Sequence, residues 1–296
     1  MDKFKKNITF IIVTYRSQNV IHRCIKSIDS KIKIIVVENS NNFSIKKDLE
    51  KKYLNVKVVI SGKNLGYGIG NNLGLKKVKT QYAFIINPDA YLDRNTLPEI
   101  KKSIQLLNDD FSIIAPNLKK NFGYFSKNQK KQIINKNFFQ VDYTEGFAML
   151  LNLKKIKFNS FFDEKIFLFL EEVDLCKRVV DSGGKIYITN NAKAYHSARK
   201  GSGEDLEIDI CRNWHWMWSL FYYNVKHFGY FKAYCVTLNK LIFSFYKFIL
   251  ATLLFNSKKR KINFYRILGL INAYQGNSSW LRPYIKKNLD NFIKFS

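Results

Sequence analysis

Three carboxylates beside one another are the strongest candidates for chemistry in this sequence. Glu171, Glu172 and Asp174 begin a segment with helical periodicity that ends at Gly183-Gly184. Carboxylates favour helix N-termini because they interact with the helix dipole and accept bonds from free N–H groups. Two adjacent acids and a third exceed what capping requires. Repulsion among them should raise one pKa, which suits a general base near neutral pH.

Asp89 and His196 are candidate metal ligands. Asn87-Pro88-Asp89 ends an apolar stretch, and a carboxylate at the end of a strand can hold a divalent ion against a diphosphate. His196 follows a short apolar segment, and an imidazole beside a carboxylate is a plausible second ligand. Taken singly, Asn-Pro-Asp is a common turn and a lone His is usually structural.

A glycine-rich segment, NLGYGIGNNLG, occupies residues 64–74. It fails the GxGxxG dinucleotide pattern because Asn71 and Leu73 stand where glycine would be needed. Its glycines and amides still lie between a predicted strand and a predicted helix, where backbone N–H groups can approach a phosphate or a sugar. By itself the segment is equally typical of a glycine-rich turn.

Alternating apolar strands and helical segments must position these residues. The patterns predict strands at 8–13, 32–37, 56–60 and 82–86 and helices at 20–28, 45–53 and 71–78. Such alternation indicates βαβ units and a parallel sheet, whose strand C-termini meet at one ligand-binding edge. We predict that Thr14-Tyr15, Glu38-Asn39 and Asn87–Asp89 share that edge. A polar loop at 117–140, an apolar stretch at 143–151, a helix after Asp174 and a strand at 186–188 follow.

Composition excludes several classes of protein. With 296 residues, 46% hydrophobic and 16% aromatic, the chain can bury a core and is not disordered. Four cysteines without a CxxC spacing and four histidines argue against structural zinc and fit a reducing cytosol. The apolar run at 8–13 is too short for a signal peptide. A net charge of +27 attracts polyanions, which include nucleic acid, anionic membranes and phosphate ligands.

The composition changes after about Gly203, so we predict two domains, 1–203 and 204–296. Residues 212–231 are rich in aromatic side chains, and residues 233–255 are mostly apolar. Lys240 and Lys247 place charge on one helical stripe, and residues 233–296 hold 11 Lys and Arg with one acid. This pattern fits an amphipathic helix on an anionic membrane surface. It fits a helical cap with a solvated basic face equally well.

The motifs, taken in order, resemble the family 2 glycosyltransferases, especially the bacterial rhamnosyltransferase-like branch. They are ITFIIVTYRS, VVENS, NLGYGIGNNLG, NPDA, GFAMLL, FDEKIFLFLEEVDLCKR and a late His, spread over residues 7–230. The resemblance implies a GT-A fold, which is an α/β, Rossmann-like, mostly parallel sheet flanked by helices. It also implies a nucleotide-sugar donor, an inverting transfer and Mg²⁺ or Mn²⁺ as cofactor.

The same resemblance implies roles for individual residues. Glu172 would be the general base with Glu171 and Asp174 as its neighbours, and Asp89 would bind the metal with His196. The donor-binding set comprises Thr14, Tyr15, Arg16, Glu38, Asn39, Asn64, Gly66, Asn71, Asn87, Asp89, Arg199 and Lys200. The family usually has Asp at the position of Glu38 and often has Asp at that of Glu172. No Gln-x-x-Arg-Trp stretch is present, which argues against a processive synthase.

The expected function is transfer of one sugar to a polyprenyl-diphosphate-linked or oligosaccharide acceptor in surface polysaccharide biosynthesis, such as capsule or lipopolysaccharide. The favoured donor is dTDP-L-rhamnose. The protein is expected to be a peripheral protein on the cytoplasmic face of the membrane. Its oligomeric state is open, and a homodimer is one option. UDP-galactofuranose or UDP-N-acetylhexosamine are alternative donors. A non-catalytic nucleic-acid-binding protein is the alternative from another class, although the sequence has no motif for nucleic-acid recognition.

Overall fold

The computed structural model describes residues 2–117, 131–197 and 205–283. Its helices are α1 (Lys3–Lys6), α2 (Gln18–Lys26), α3 (Phe43–Lys52), α4 (Gly66–Leu75), α5 (Thr96–Leu106), α6 (Glu171–Asp181), α7 (Leu206–Leu253) and α8 (Ser257–Tyr274). Its strands are β1 (Ile8–Thr14), β2 (Lys33–Glu38), β3 (Val56–Ile60), β4 (Tyr82–Ile86), β5 (Ala90–Leu92), β6 (Ile113–Asn117), β7 (Lys131–Ile133), β8 (Phe138–Val141), β9 (Ala148–Asn152) and β10 (Ile186–His196).

A mixed sheet forms the core of the first part of the chain, with strand order β3-β2-β1-β4-β9-β6-β10-β8-β7. The four strands predicted first, β3-β2-β1-β4, pair in parallel. Every residue of β1 is buried, as expected for a strand covered on both faces. The expected parallel region is therefore present, and the C-terminal ends of β1, β2 and β4 lie at one edge.

Beyond β4 the sheet changes direction. Strand β9 runs antiparallel to both β4 and β6, and β8 runs antiparallel to β10. Strand β10 has 11 residues and also pairs with β5, where the sequence indicated only a short strand at 186–188. Residues 131–133 and 138–141 are strands inside the predicted loop at 117–140.

The glycine-rich segment is a helix rather than a loop. Helix α4 begins at Gly66, five residues before the predicted start at Asn71. A Cβ on Gly70 would lie 2.8 Å from Val13 Cγ1, and one on Gly74 would lie 2.6 Å from Ile11 Cγ2. These two glycines therefore let α4 lie directly on β1. The expectation of flexible glycines that approach a phosphate is wrong for Gly70 and Gly74, because the sheet covers them.

By contacts between Cα atoms, the chain divides into two compact units, Met1–Gly203 and Glu204–Ser296. In the second unit α7 packs against α8, and α7 contains one residue with non-helical geometry, Gly229 (φ 81°, ψ 170°). Trp218 Nε1 donates to the carbonyl oxygen of Asn277 at 2.9 Å. Aromatic side chains of the first half of α7 thus hold the segment that follows α8.

Candidate functional site

The ends of β1 and β2 bring predicted donor-binding residues together. Thr14 and Glu38 are partners in the register of the two strands, and Asn39 N donates to the carbonyl oxygen of Thr14 at 2.8 Å. Thr14 Oγ1 and Asn39 Oδ1 are buried without a hydrogen-bond partner among the described residues. Buried polar atoms are nearly always paired, so two orphans at one strand edge indicate a polar ligand.

Glu38 is almost fully buried and its carboxylate holds the loop that follows β2. It accepts hydrogen bonds from Ser40 N at 3.0 Å and from Asn42 N at 2.8 Å. The same loop contacts the chain after β1, since Arg16 N donates to Ser40 Oγ at 3.4 Å. Arg16 has a positive φ of 54° and its guanidinium lies 5.2 Å from the centre of the Tyr15 ring. Glu38 therefore shapes this edge through the loop.

The start of α4 connects to the same edge. Asn64 Oδ1 accepts from Gly66 N at 3.0 Å, and Asn39 Nδ2 donates to the carbonyl oxygen of Gly66 at 2.9 Å. Gly66 has a φ of +79°, and a Cβ there would lie 2.1 Å from the carbonyl oxygen of Phe167, so only glycine fits. Asn71 is fully buried and its Oδ1 has no partner among the described residues.

Asp89 and His196 lie side by side, as the predicted metal pair requires. His196 Nε2 is 3.1 Å from Asp89 Oδ1 and 3.4 Å from Asn87 Nδ2. The antiparallel pairing of β5 with β10 places His196 opposite Ala90, the residue after Asp89. The imidazole also stacks on the ring of Phe147, with centroids 4.5 Å apart. A pairing between distant strands thus creates a contact that no local pattern could indicate.

Glu172 lies in an environment that raises its pKa to about 7. Burial is the main cause, because it penalises the ionised carboxylate, and the charge of Glu145 adds to it. Tyr143 Oη donates to Glu172 Oε1 at 3.4 Å and partly offsets the shift. Burial also raises the pKa of Glu171, with the charge of Glu172 as a second cause. A carboxylate with a pKa of about 7 suits base catalysis near neutral pH.

Asp174 has a different environment from the two glutamates. It is fully buried and pairs with Arg178, whose Nε lies 2.8 Å from Asp174 Oδ2. Arg178 also donates to the carbonyl oxygens of Ser160 and Phe161. The ion pair therefore anchors the segment before α6 to that helix. These contacts engage the Asp174 carboxylate in holding the start of α6.

The backbone before α6 is strained. Phe169 and Leu170 both have a φ of 69°, in the left-handed region that non-glycine residues rarely occupy. Two such residues in succession turn the chain into the N-terminus of α6, where Glu171 and Glu172 stand. Strain of this kind, of order 1–3 kcal/mol per residue, tends to accumulate at functional sites.

The carboxylates before β5 and at the start of α6 converge on one short segment, Gly146-Phe147. A Cβ on Gly146 would lie 2.9 Å from Glu172 Cβ, while Phe147 stacks on the His196 ring and its carbonyl oxygen accepts from Asn87 N at 2.8 Å. Tyr67 Oη donates to the carbonyl oxygen of Gly146 at 2.5 Å. The two groups of residues predicted from separate motifs thus flank the same two residues.

Electrostatics give the same picture. Burial raises the pKa of Tyr67 well above its ordinary value, and the charges of Glu171, Glu172 and Asp89 add to this effect. The Tyr67 hydroxyl therefore lies within electrostatic reach of all three carboxylates.

Sequence reasoning missed several residues of this site. Tyr67, Tyr143 and Glu145 surround Glu172, and Asn72 fixes the segment before α6 by donating to the carbonyl oxygen of Phe162 at 2.8 Å. Glu145 could have been recognised from the sequence, because it is an acid within the apolar stretch 143–151. Arg199 and Lys200, which were predicted to bind the donor, lie outside the described residues.

The candidate metal-ligating residues fit a divalent cation that is bound together with a phosphate ligand. Among the described residues, no group of three or more His, Cys, Asp and Glu side chains could hold a metal ion. Asp89 and His196 nevertheless offer a carboxylate and an imidazole 3.1 Å apart, and the buried Asn87 Oδ1 lacks a partner in the described chain. Carboxylate and imidazole ligands suit Mn²⁺, and Mg²⁺ commonly takes few protein ligands and completes its shell with phosphates and water.

A mixed α/β sheet with a carboxylate and an imidazole at its strand ends, and a raised-pKa glutamate at the start of a nearby helix, is the arrangement expected of a GT-A glycosyltransferase. The model of the family described as "Glycosyl transferase family 2" matches residues 9–167, which is more than half of the chain. The chain belongs to this family. The predictions of the family and of the fold class are confirmed at this level.

Individual relatives are more distant. The low-salt glycan biosynthesis hexosyltransferase Agl10 of Haloferax volcanii is 23% identical over 191 residues, which cover 58% of this chain and 61% of that protein. The structure of S. aureus TarS 1–349 in complex with UDP-GlcNAc has a TM-score of 0.50 at 13% identity and covers 92% of both chains. GalNAc-T7 with UDP, GalNAc and Mn²⁺ has a TM-score of 0.53 at 13% identity, covering 74% of this chain and 50% of that one. These structures support the fold.

Proposed function

We propose that this protein transfers a single sugar from a nucleoside-diphosphate donor to an acceptor hydroxyl with inversion at the anomeric carbon. The observation that carries the proposal is the convergence of Glu172 and the Asp89–His196 pair on Gly146-Phe147. A base on one side and an anion-stabilising site on the other are what a single displacement needs.

Glu172 is the proposed base. Its carboxylate accepts the proton of the acceptor hydroxyl while that oxygen forms a bond to the anomeric carbon and the bond to the diphosphate breaks. With a pKa of about 7, a large fraction of Glu172 is ionised near neutral pH and remains basic enough to take the proton. Tyr143 and Gly146 hold its side chain in place, which matters because small displacements cost large factors in rate.

Asp89 and His196 are the proposed holders of Mg²⁺ or Mn²⁺. When bound, the metal neutralises charge on the departing diphosphate. Thr14, Asn39 and Asn71 each carry a buried polar oxygen without a partner in the described chain, and we assign them to the donor. Glu38 acts indirectly, through the loop that it holds.

The proposed donor is dTDP-L-rhamnose, because the ordered motifs resemble the rhamnosyltransferase-like branch. UDP-galactofuranose and UDP-N-acetylhexosamine are the alternatives, and the observation that supports them is the UDP or UDP-GlcNAc in the structures of the neighbours GalNAc-T7 and TarS. The proposed acceptor is a polyprenyl-diphosphate-linked or oligosaccharide precursor of a surface polysaccharide. In this proposal, the first unit is catalytic and the second faces the acceptor or the cytoplasmic side of the membrane.

Thermal-shift measurement against a panel of nucleotide sugars, each with and without Mn²⁺ or Mg²⁺, tests the proposal. A donor that binds the native state raises the melting temperature, and the metal should enlarge that shift. The stabilising donor is then incubated with acceptor, and the anomeric configuration of the product is read by NMR. A retained configuration, or no stabilisation by any donor, would contradict the proposed reaction.

The nucleic-acid alternative makes an opposite prediction. A non-catalytic basic protein should bind DNA or RNA with an affinity that falls steeply with salt. Membership of a glycosyltransferase family and the clustered carboxylates at Glu145, Glu171 and Glu172 favour the enzyme.

A further inference from the structure

The second half of α7, residues 230–253, buries small side chains and exposes large apolar ones. Its buried residues are Ala233, Thr237, Ser244 and Ala251, at spacings of four and seven residues. Its exposed side chains include Phe231, Leu238, Ile242, Phe243, Tyr246 and Leu253. This distribution is the reverse of that in a helix of a water-soluble core, and it is typical of helices that pack together in lipid.

The exposed apolar face is large and continuous. Phe231 is 84% exposed, Leu253 is 69% exposed and Phe255, just beyond the helix, is 93% exposed. The 24 residues from 230 to 253 extend for about 36 Å at 1.5 Å per residue. An apolar face of this extent on a soluble protein marks an interaction surface, because isolated exposed hydrophobics do not align in this way.

A basic cavity of about 420 Å³ lies between this half of α7 and α8. Its walls combine apolar side chains, such as Phe243, Leu250 and Leu254, with the cations Lys247, Lys259 and Arg266. An apolar wall with cations is the chemistry that receives an anionic amphiphile.

Arg266 is the cation of this cavity whose hydrogen bonds go to neutral side chains. Its Nη1 donates to Asn213 Oδ1 at 2.9 Å and its Nε donates to Ser244 Oγ at 3.3 Å, and no carboxylate within the described ranges forms an ion pair with it. Burial lowers its pKa, which shows that the charge is partly desolvated. A desolvated guanidinium bonded only to neutral groups gains strongly from a phosphate, which it can contact through two parallel bonds.

We propose that this cavity binds the phosphate of an anionic phospholipid at Arg266, while the exposed face of residues 230–255 inserts into the same leaflet. Residues 210–283 contain eleven Lys and Arg and no Asp or Glu, and Asp209 just before them pairs with Arg212 and Lys258. The net charge of this segment is therefore strongly positive, which is complementary to anionic lipid. The proposal gives chemical detail to the proposed membrane location and is independent of the transferase reaction.

Two other arrangements fit the residues less well. A second copy of this chain on the apolar face would bring the positive charges of the two copies close together, because no acid lies between residues 210 and 283. A membrane-spanning orientation is compatible with the length and composition of α7, which contains an 18-residue stretch of mean hydropathy 1.3 that is 17% buried. However, Lys232, Lys240 and Lys247 recur along that segment, and lysines distributed in this way favour a helix in the plane of the interface.

The test is co-sedimentation of the full chain with vesicles of phosphatidylcholine alone or with phosphatidylglycerol, in the absence of nucleotide sugars. We expect the protein to bind the anionic vesicles. R266Q should weaken this binding by roughly 10- to 100-fold, as for loss of a hydrogen bond to a charged group. R260Q removes an equal charge from an exposed position on the same helix and should weaken it about fivefold or less. Equal losses for the two variants would overturn the site.

A second pair of measurements keeps the proposal testable if R266Q does not fold. K247Q, in the same cavity wall, should also weaken binding to anionic vesicles more than R260Q does. F255W should show a blue-shifted emission with anionic vesicles only, because position 255 enters the leaflet. Three results would each refute the proposed lipid site. They are binding of free inorganic phosphate without binding to vesicles, a tryptophan emission that vesicles do not shift, and a stable dimer that does not bind vesicles. Stabilisation of the protein by nucleotide sugars is measured in the separate thermal-shift experiment, so a failure of the lipid proposal is distinguishable from a failure of the proposed reaction.

Discussion

Replacing Glu172 with glutamine separates the catalytic role of this residue from its structural role. The substitution keeps the shape of the side chain and removes its charge. The pKa of Glu172 is raised from 4.5 to about 7 because burial penalises the carboxylate. A raised pKa of an acid means that the folded protein prefers the neutral form. Ionisation of Glu172 therefore costs folding free energy, and glutamine does not incur that cost.

The sign and size of the stability effect depend on pH. Below about pH 4.5 the group is protonated in both states, and it contributes no penalty. As the pH rises from about 4.5 to 7, the unfolded chain ionises while the folded site stays protonated, and the folded state loses up to about 3 kcal/mol at 1.36 kcal/mol per pKa unit. Since Glu172 is partly exposed, we expect E172Q to be more stable than wild type by about 2 kcal/mol at pH 8 and by less than about 1 kcal/mol at pH 5.

The catalytic effect has the opposite direction. Loss of a general base typically lowers the rate by roughly 10²- to 10⁴-fold. In the wild type, kcat/KM should rise with pH through about 7 as Glu172 loses its proton, and E172Q should lose this acid limb. Urea unfolding at pH 5 and pH 8, together with a rate profile over pH 5–9, measures both effects on the same samples.

E145Q is the matched control for this experiment, because it removes a neighbouring carboxylate that raises the pKa of Glu172 without being the base. It should shift the acid limb to lower pH and leave the limb in place. An E172Q variant with near-normal turnover would refute the assignment of the base. An E172Q variant that is destabilised at pH 8 would refute the claim that the native site penalises the Glu172 charge.

Further predictions concern packing, the buried ion pair and the metal. G74A should lower the free energy of unfolding by about 1–3 kcal/mol because its Cβ would overlap a strand side chain, whereas the exposed K76A should change it by less than about 0.5 kcal/mol in urea titrations. R178M should cost about 3–5 kcal/mol because it removes the ion-pair partner of a fully buried carboxylate, while K177M, which breaks an exposed pair, should cost under about 1 kcal/mol; equal costs would contradict the anchoring role. D89N should abolish the extra thermal shift that Mn²⁺ adds to donor binding, and a retained metal effect would exclude Asp89 as a ligand.

Elements with a strong local pattern were predicted well. The strands at 56–60 and 82–86 are confirmed at both ends, and β1 extends only one residue beyond its prediction, to Thr14. Buried parallel strands are continuous apolar runs bounded by polar residues, so their limits are visible locally. The helix at Glu171 was found from its acids and its apolar periodicity, although it begins at the acids instead of after them.

Elements that depend on distant partners were not predicted. The short strands β5, β7 and β8 have weak patterns of their own and exist because β10 and its neighbours pair with them. Glycine was misleading in α4, since low helix propensity suggested a turn. Close packing on β1 outweighs that propensity at Gly70 and Gly74, and it requires the absence of a side chain.

For the site, the sequence determined which residue types were available and the order in which the strands and helices deliver them. It identified the carboxylates, the late histidine and the strand ends, because these are local properties of the chain. Only the tertiary structure decided which residues meet. It set Asp89 against His196, placed Glu172 beside Gly146, Tyr143 and Glu145, and paired Asp174 with Arg178. The physical reason is that the pKa of a carboxylate is set by desolvation and by neighbouring charges, and both come from residues distant in sequence.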